Sequence, residues 1–226
     1  TFLLASDSVD LSAGYMMCMI GIISGLLSQT GMPFICILIL CAVIAVICSS
    51  FNAVIENKFN LPPFLVTLAM QQVFRGVLML LSNGSPISNL NEGIIYMGQG
   101  YIGPIPFSVL LMLVFIVIGH IIFSRTQFGR NVIAVGGNPE AARVSGIDVN
   151  KTRVYVSALL GFTIAIMALV SCGRIASAQT TLGGDTVMDI IAAVVIGGTP
   201  MGGGSGTVVG TLFGCLVIGL ISNGLN

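Results

Sequence analysis

Residues 33–55 read PFICILILCAVIAVICSSFNAVI, twenty-three positions without one charge. A helix needs about 20 apolar residues to cross the ~30 Å hydrocarbon layer of a bilayer, so this stretch predicts a membrane span. The uncharged sequence in fact runs from 11 to 55, room for two spans, and Thr30-Gly31-Met32-Pro33 supplies the turn between them. Helices are therefore expected near 11–28 and 33–55. The whole chain has the same character: 226 residues, 55% hydrophobic and 7% charged, with a mean hydropathy of +1.05. A soluble domain carries about 25% charged residues, and eight basic plus eight acidic side chains cannot clothe a wet surface. Zero net charge argues against a nucleic-acid partner, which would need a basic face.

Further along, Glu56-Asn57-Lys58 is a polar break and Pro62-Pro63 opens a third helix to about Ser82; proline suits a first turn, whose N–H groups lack intrahelical partners anyway. Residues 83–103, with NGSPIS and several glycines, read as a loop, followed by a helix from about Pro104 to Phe123. A polar stretch, 124–153, precedes twenty charge-free positions at 154–173, again long enough to span. The end of the chain differs. Asp185 and Asp189 precede an apolar run at 190–196 too short to cross, then GGTPMGGGSG (197–206) interrupts before a run from Thr207 to about Ile221. Non-helical backbone at membrane depth survives only against protein or a water-filled cavity, and a half-helix broken by glycines points to a transport pathway. Near the start, Asp7 and Asp10 likewise interrupt apolar sequence. An aspartate at the centre of a span costs about 2.5–3.5 kcal/mol on insertion scales, a cost met by water, pairing or protonation. The fold class expected is all-α: a polytopic transmembrane helix bundle with broken or re-entrant half-helices and about six to seven membrane segments.

Arg125, Arg130, Arg143, Lys151 and Arg153 are five of the eight basic residues and share one loop of about thirty positions, which the positive-inside rule makes cytoplasmic. Parity then puts 83–103 outside and 56–62, with Lys58, inside. Within the loop, Asn138 suits an N-cap, Pro139 the first helical position, Glu140 and Arg143 the two ends of a helix dipole, and Gly146 a left-handed C-cap. The pattern predicts a two-turn helix from Pro139 to Ser145. A helix that short is marginal in water and needs a surface to lie against, its own membrane domain or a cytoplasmic partner.

The same residues carry a resemblance. GGNPEAARVSGIDVNKTR (136–153) resembles the cytoplasmic coupling loop of ribose-type (monosaccharide) ABC importer permeases, a binding-protein-dependent transport family. VDLSAG (9–14) resembles their IDLSVG segment, PPFLVTLAMQQVFRGVLMLLSNGSPIS (62–88) their helix and NGSPI turn, and SAQTTLGGDTVMDIIAAVVIGGTPMGGGSGTVVGTLFGCLVIGLISNGLN (177–226) their late gate region. Two departures stand out: Asp7 and Ser8 lie where the family commonly has two glycines, and Pro139 replaces a residue that is often acidic. The resemblance implies a single permease domain over 1–226, a fragment lacking at least one helix at each end, with a cytoplasmic coupling loop at 124–153. It implies a multi-pass protein of the bacterial plasma (inner) membrane. Its expected partners are a cytoplasmic ABC ATPase subunit, an extracytoplasmic sugar-binding protein, a second permease copy (identical or a sister chain) and the bilayer, with no nucleic acid.

No cofactor is expected in this chain. Its glycine runs never complete G-x-x-x-x-G-K-[ST], because Gly202 to Gly206 has no following lysine, so ATP and magnesium belong to the partner ATPase. The ATPase-coupling element is expected at Glu140, Ala141, Ala142, Arg143, Ser145 and Gly146. A neutral sugar needs hydroxyl and amide partners of modest affinity, and the path candidates are Asp10, Ser12, Gln71, Asn83 and Asp189, with Gly197 and Gly198 admitting close backbone approach. Asp189 reads equally as a cap of 190–196. Arg75 is expected in a structural role, snorkelling outward or pairing with an acid. The six cysteines form no C-x-x-C pair and read as buried small hydrophobes, the lone His120 as an interfacial imidazole, and no metal or catalytic group is assigned. A passive channel or secondary transporter, or an ABC permease for a branched-chain amino acid or autoinducer-type sugar, stays open as an alternative; an intramembrane enzyme has no motif to support it.

Overall fold

The computed structural model describes residues 1–184 and 186–225, so Asp185 lies outside the described residues. Its architecture is a helical membrane bundle. The charge-free stretch becomes a helix, α3 (Phe34–Phe59), entered through Pro33 and stopped at Asn60, whose φ of 50° turns the chain into the left-handed region. Pro62 and Pro63 then start α4 (Pro63–Ser82), which Asn83 ends in the same way. Before these stand a single turn, α1 (Phe2–Ala5), and α2 (Ala13–Gln29). After them come α5 (Glu92–Gln99), a hairpin of β1 (Tyr101–Ile102) with β2 (Ile105–Pro106), and α6 (Phe107–Arg125). The rest is α7 (Gln127–Gly137), α8 (Pro139–Val144), α9 (Val149–Ile175), α10 (Thr186–Ile196) and α11 (Val208–Leu225).

Among the described residues four helices are long and apolar enough to cross a membrane, α3, α4, α6 and α9, while α2, α10 and α11 are shorter apolar helices. Four clear spans are thus fewer than the six to seven membrane segments expected. Their large side chains face outward, as lipid demands: in α3 alone Ile35, Ile39, Val43, Ile47, Phe51 and Val54 are exposed.

Three expectations need correction. The stretch 83–103 is not simply a loop. Asn91 caps α5 by accepting from the Gly93 N–H at 2.9 Å, and Ile94 and Met97 bury one face. A Cβ at Gly98 would fall 2.1 Å from the Arg174 nitrogen, so only glycine lets α5 lie on α9. Beyond it, Tyr101 pairs with Pro106 and Ile102 with Ile105 across a tight turn, which delays α6 to Phe107 instead of Pro104. The polar stretch 124–153 holds α7, capped by Thr126 through the Gly129 N–H at 3.2 Å. It also holds the first turn of α9, which begins at Val149 and not near 154, because Asp148 accepts from the Lys151 N–H at 3.0 Å. Twenty-seven residues at 1.5 Å each give about 40 Å, leaving a charged turn beyond the oil.

The chain forms two compact units: Thr1–Asp10, Leu113–Val156 and Asp185–Asn226 in the first, Leu11–Met112 and Ser157–Gly184 in the second. The second unit holds the main core, with Met16, Ile20, Ile22, Ile37, Leu78 and Leu169 fully buried. Lipid tails are as apolar as leucine, so its helices associate through packing and interhelical hydrogen bonds. Ser49 Oγ donates to the Ser157 carbonyl at 2.7 Å and Asn52 Nδ2 to Ser12 Oγ at 3.0 Å. The first unit has two small cores. Ala5, Phe123, Val132 and Val156 form one, where Phe2 meets Phe123 edge-on at 5.0 Å. Val135, Ala142 and Val149 form the other.

Candidate functional site

In the first unit, NPEAARVSGID folds into a short helix closed at both ends. Asn138 accepts from the Ala141 N–H at 3.0 Å, and Pro139 stands at the first helical position. At the far end the Gly146 N–H reaches the Arg143 carbonyl at 2.9 Å and the Ile147 N–H the Ala142 carbonyl at 3.0 Å, the paired bonds of a Schellman cap. Gly146 has φ +81°, which glycine adopts without the Cβ penalty. Two residues later Asp148 opens α9 through its acceptance from the Lys151 backbone. That N–H, followed by the Lys151 ammonium 3.1 Å away, holds the Asp148 carboxyl below the ordinary carboxylate range.

Exposure divides α8. Glu140, Ala141, Arg143, Ser145 and Gly146 are exposed. Ala142 is buried against Val135 and Val149, so it anchors the helix and offers no docking surface. The sequence reading missed Val144, a bulky apolar side chain that is 90% exposed. Beside it is an open notch of about 310 Å³ lined by Arg143, Gly146, Ile147, Asp148, Val149 and Asn150.

The helix is seated on a tight backbone junction. A Cβ at Gly136, the penultimate residue of α7, would lie 1.9 Å from the Ala5 carbonyl oxygen. The same carbonyl accepts from the Gly204 N–H at 3.0 Å, and a Cβ at Gly203 would sit 2.7 Å from the Asp7 nitrogen. Three segments therefore meet main chain to main chain: the Ala5–Asp7 turn, the end of α7 and the glycine-rich turn before α11. Asp7 has φ 57°, a left-handed conformation that aspartate tolerates and glycine prefers.

A family model described as "Branched-chain amino acid transport system / permease component" matches residues 1–226. The chain belongs to this permease family. It is 36% identical to the ribose import permease protein RbsC of Bacillus subtilis over the whole chain and 71% of that protein. With RbsC of Escherichia coli K12 it shares 34% over the whole chain and 72% of the relative. With the galactose/methyl galactoside import permease protein MglC of the same strain it shares 33% over 99% of the chain and 72% of the relative. No solved structure matches. The permease is a multi-pass protein of the bacterial inner membrane and a transport subunit, not an enzyme; family membership implies a partner ATPase and a binding protein.

The permease's path candidates fall in both units. In the first, Asp10 is buried and Asp189 is exposed in the first turn of α10, which starts at Thr186; Asp189 thus lies inside the helix instead of capping 190–196. Gly197 lets α10 touch α11, since its Cβ would meet the Gly210 carbonyl at 2.4 Å, and Gly198 turns the chain with φ +89°. In the second, Ser12 is buried and accepts from Asn52, Gln71 is half-buried on α4, and Asn83 ends α4 as its left-handed cap. Asn52, missed in the sequence, is 2% exposed and its Oδ1 has no hydrogen-bond partner. Its signal was the spacing of Ser49, Asn52 and Glu56, which puts three polar residues on one face of a membrane helix. Among the described residues no group of His, Cys, Asp or Glu is placed to hold a metal.

Proposed function

We propose that this permease is the membrane subunit of an ATP-binding-cassette importer that moves a monosaccharide, a ribose-like pentose or a hexose, delivered by an extracytoplasmic binding protein. Relatives named for ribose and galactose import support the sugar. The structural observation that carries the coupling is α8, capped at both ends, anchored through Ala142 and presenting Val144 and Arg143 outward. The loop 124–153 is its cytoplasmic face and 1–226 one permease domain. Nucleotide-driven closure of the ATPase pushes α8 as a rigid element, with ATP and magnesium held on that partner. A second permease copy completes the pathway. The four long helices, α2, and the α10–α11 pair acting as a re-entrant segment and a span, make six to seven membrane segments. Candidates for contact with the solute are Asp10 and Asp189 in the first unit, where Gly197 and Gly198 admit close backbone approach, and, separately, Ser12, Gln71 and Asn83 in the second.

Vesicles holding the permease with its ATPase and binding protein test this. Ribose or galactose uptake should require ATP, and Arg143→Glu should abolish uptake while the protein stays in the membrane. Uptake that persists without the ATPase assigns a passive channel or secondary transporter instead. The family description names branched-chain amino acids, so leucine is the competing solute, and leucine uptake without sugar uptake overturns the sugar assignment.

A further inference from the structure

In the second unit α4 carries Gln71, Gln72, Arg75 and Gly76 within two turns. Arg75 is the thirteenth of the twenty residues of this span, about 18 Å from its first and about 10 Å from its last, so it lies within the length that crosses the apolar layer. Gln72 and Arg75 are exposed, and the space around Gly76 is open. No carboxylate pairs with Arg75 among the described residues; its guanidinium carbon sits 5.6 Å from the centre of the Tyr15 ring. The Gly183–Gly184 turn passes close to the start of α2, where Tyr15 lies. Gly183, whose N–H donates to Cys18 Sγ at 3.1 Å, lies so near Gly14 that a Cβ there would meet the Gly14 carbonyl at 2.3 Å, and a Cβ at Gly184 would come within 3.9 Å of the Tyr15 hydroxyl.

An exposed guanidinium beside two carboxamides cannot face hydrocarbon. Ionisable residues at this depth border water-filled cavities or other protein, and mark substrate pathways. We infer that Tyr15, Gln72 and Arg75, around the open surface at Gly76, form a contact site for a neutral polyhydroxylated ring on its way through the membrane. The aromatic–cation stack fixes the guanidinium, whose fork of donors suits neighbouring hydroxyls. The ring of Tyr15 offers an apolar face to the C–H side of a sugar, and the carboxamide supplies donor and acceptor. With no fixed counter-charge the site holds a neutral solute loosely enough to release it.

The inference rests on the sugar-importer reading, and two measurements separate them. First, Gly76→Cys in the full transporter is treated with a membrane-impermeant methanethiosulfonate and the labelled peptide is read by mass spectrometry. Labelling at position 76 supports a water-lined face, and its absence under turnover overturns it, whichever solute is carried. Second, ribose and galactose uptake are measured. Losing hydrogen bonds to a charged group weakens sugar contact about tenfold, so Arg75→Gln should raise KM by about that factor; Tyr15→Leu, which removes the ring that seats the guanidinium, should raise it likewise, and Tyr15→Phe, which keeps the ring, should leave it near the parental value. A fall in the amount of folded protein with KM unmoved assigns the pair to packing and overturns the inference. Labelling at position 76 in a protein that takes up neither sugar overturns the sugar reading alone.

Discussion

Val144 offers the sharpest test of coupling. At 90% exposure its side chain contributes little to the permease's own packing, so truncation changes stability by no more than about 0.5 kcal/mol. Alanine is the better helix former, so any change in the fold of α8 is in the stabilising direction. Docking pulls the other way. Val144→Ala removes the equivalent of two methylenes, each contributing about 0.8 kcal/mol on burial. The loss of about 1.6 kcal/mol corresponds to a little more than tenfold in affinity. The assay is binding of the isolated ATPase subunit to the permease in nanodiscs, read with thermal stability on the same sample. Expected is weaker binding by about an order of magnitude with an unchanged or slightly raised melting temperature. Affinity within about twofold of the parent would mean that Val144 stays in water in the complex, and the assignment of α8 as the docking element would lose its apolar anchor.

Two further outcomes follow from the same segment. Asn138→Ala removes the bond to the Ala141 N–H and should cost α8 about 1 kcal/mol, seen as faster hydrogen exchange at 140–145 with α9 unaffected. Asp148 has its carboxyl lowered in the folded chain by the Lys151 N–H and ammonium. Its contribution is therefore full above the ordinary carboxylate range and lost as pH falls through the folded value. The protection factor of the Lys151 amide, corrected for intrinsic exchange, should fall with acid, and Asp148→Asn should flatten that dependence.

The membrane fold was legible because lipid allows few solutions: a charge-free run of twenty residues has to be a helix, and Pro62-Pro63 marked the start of α4; the end of α3 was read one turn early, at Glu56-Asn57-Lys58, because a charged last turn continues the helix to Phe59. The α8 helix was legible for a different reason, since its caps use local bonds whose residue types are nearly diagnostic. What escaped was decided by partners distant in sequence. Whether Ala142 faces in and Val144 out depends on Val135 and Val149, and a six-residue helix has too little periodicity to say. α5 depends on Gly98 meeting α9. Arg75 read as a generic intramembrane charge because nothing in the sequence places Tyr15, sixty residues earlier, against it.

We propose that a push on the six residues of α8 reaches the broken segments through the junction beneath it. Gly137 ends α7 and Asn138 begins the cap of α8, so the short helix has no slack at its entry. One residue back, Gly136 lies against the Ala5 carbonyl, which also takes the Gly204 N–H. Displacing α8 thus bears directly on the two places where the chain interrupts its own helices, after Ala5 and before α11. This joint can be perturbed apart from docking. Gly136→Ala puts a Cβ 1.9 Å from the Ala5 oxygen, a clash with backbone that no rotamer relieves, while leaving the exposed face of α8 untouched. The expected variant binds the ATPase with parental affinity yet loses sugar-dependent uptake. Parental uptake would show that the junction gives way without consequence. Loss of binding and uptake together would show that Gly136 merely holds α8 in place, and either result would remove the joint from the transmission path.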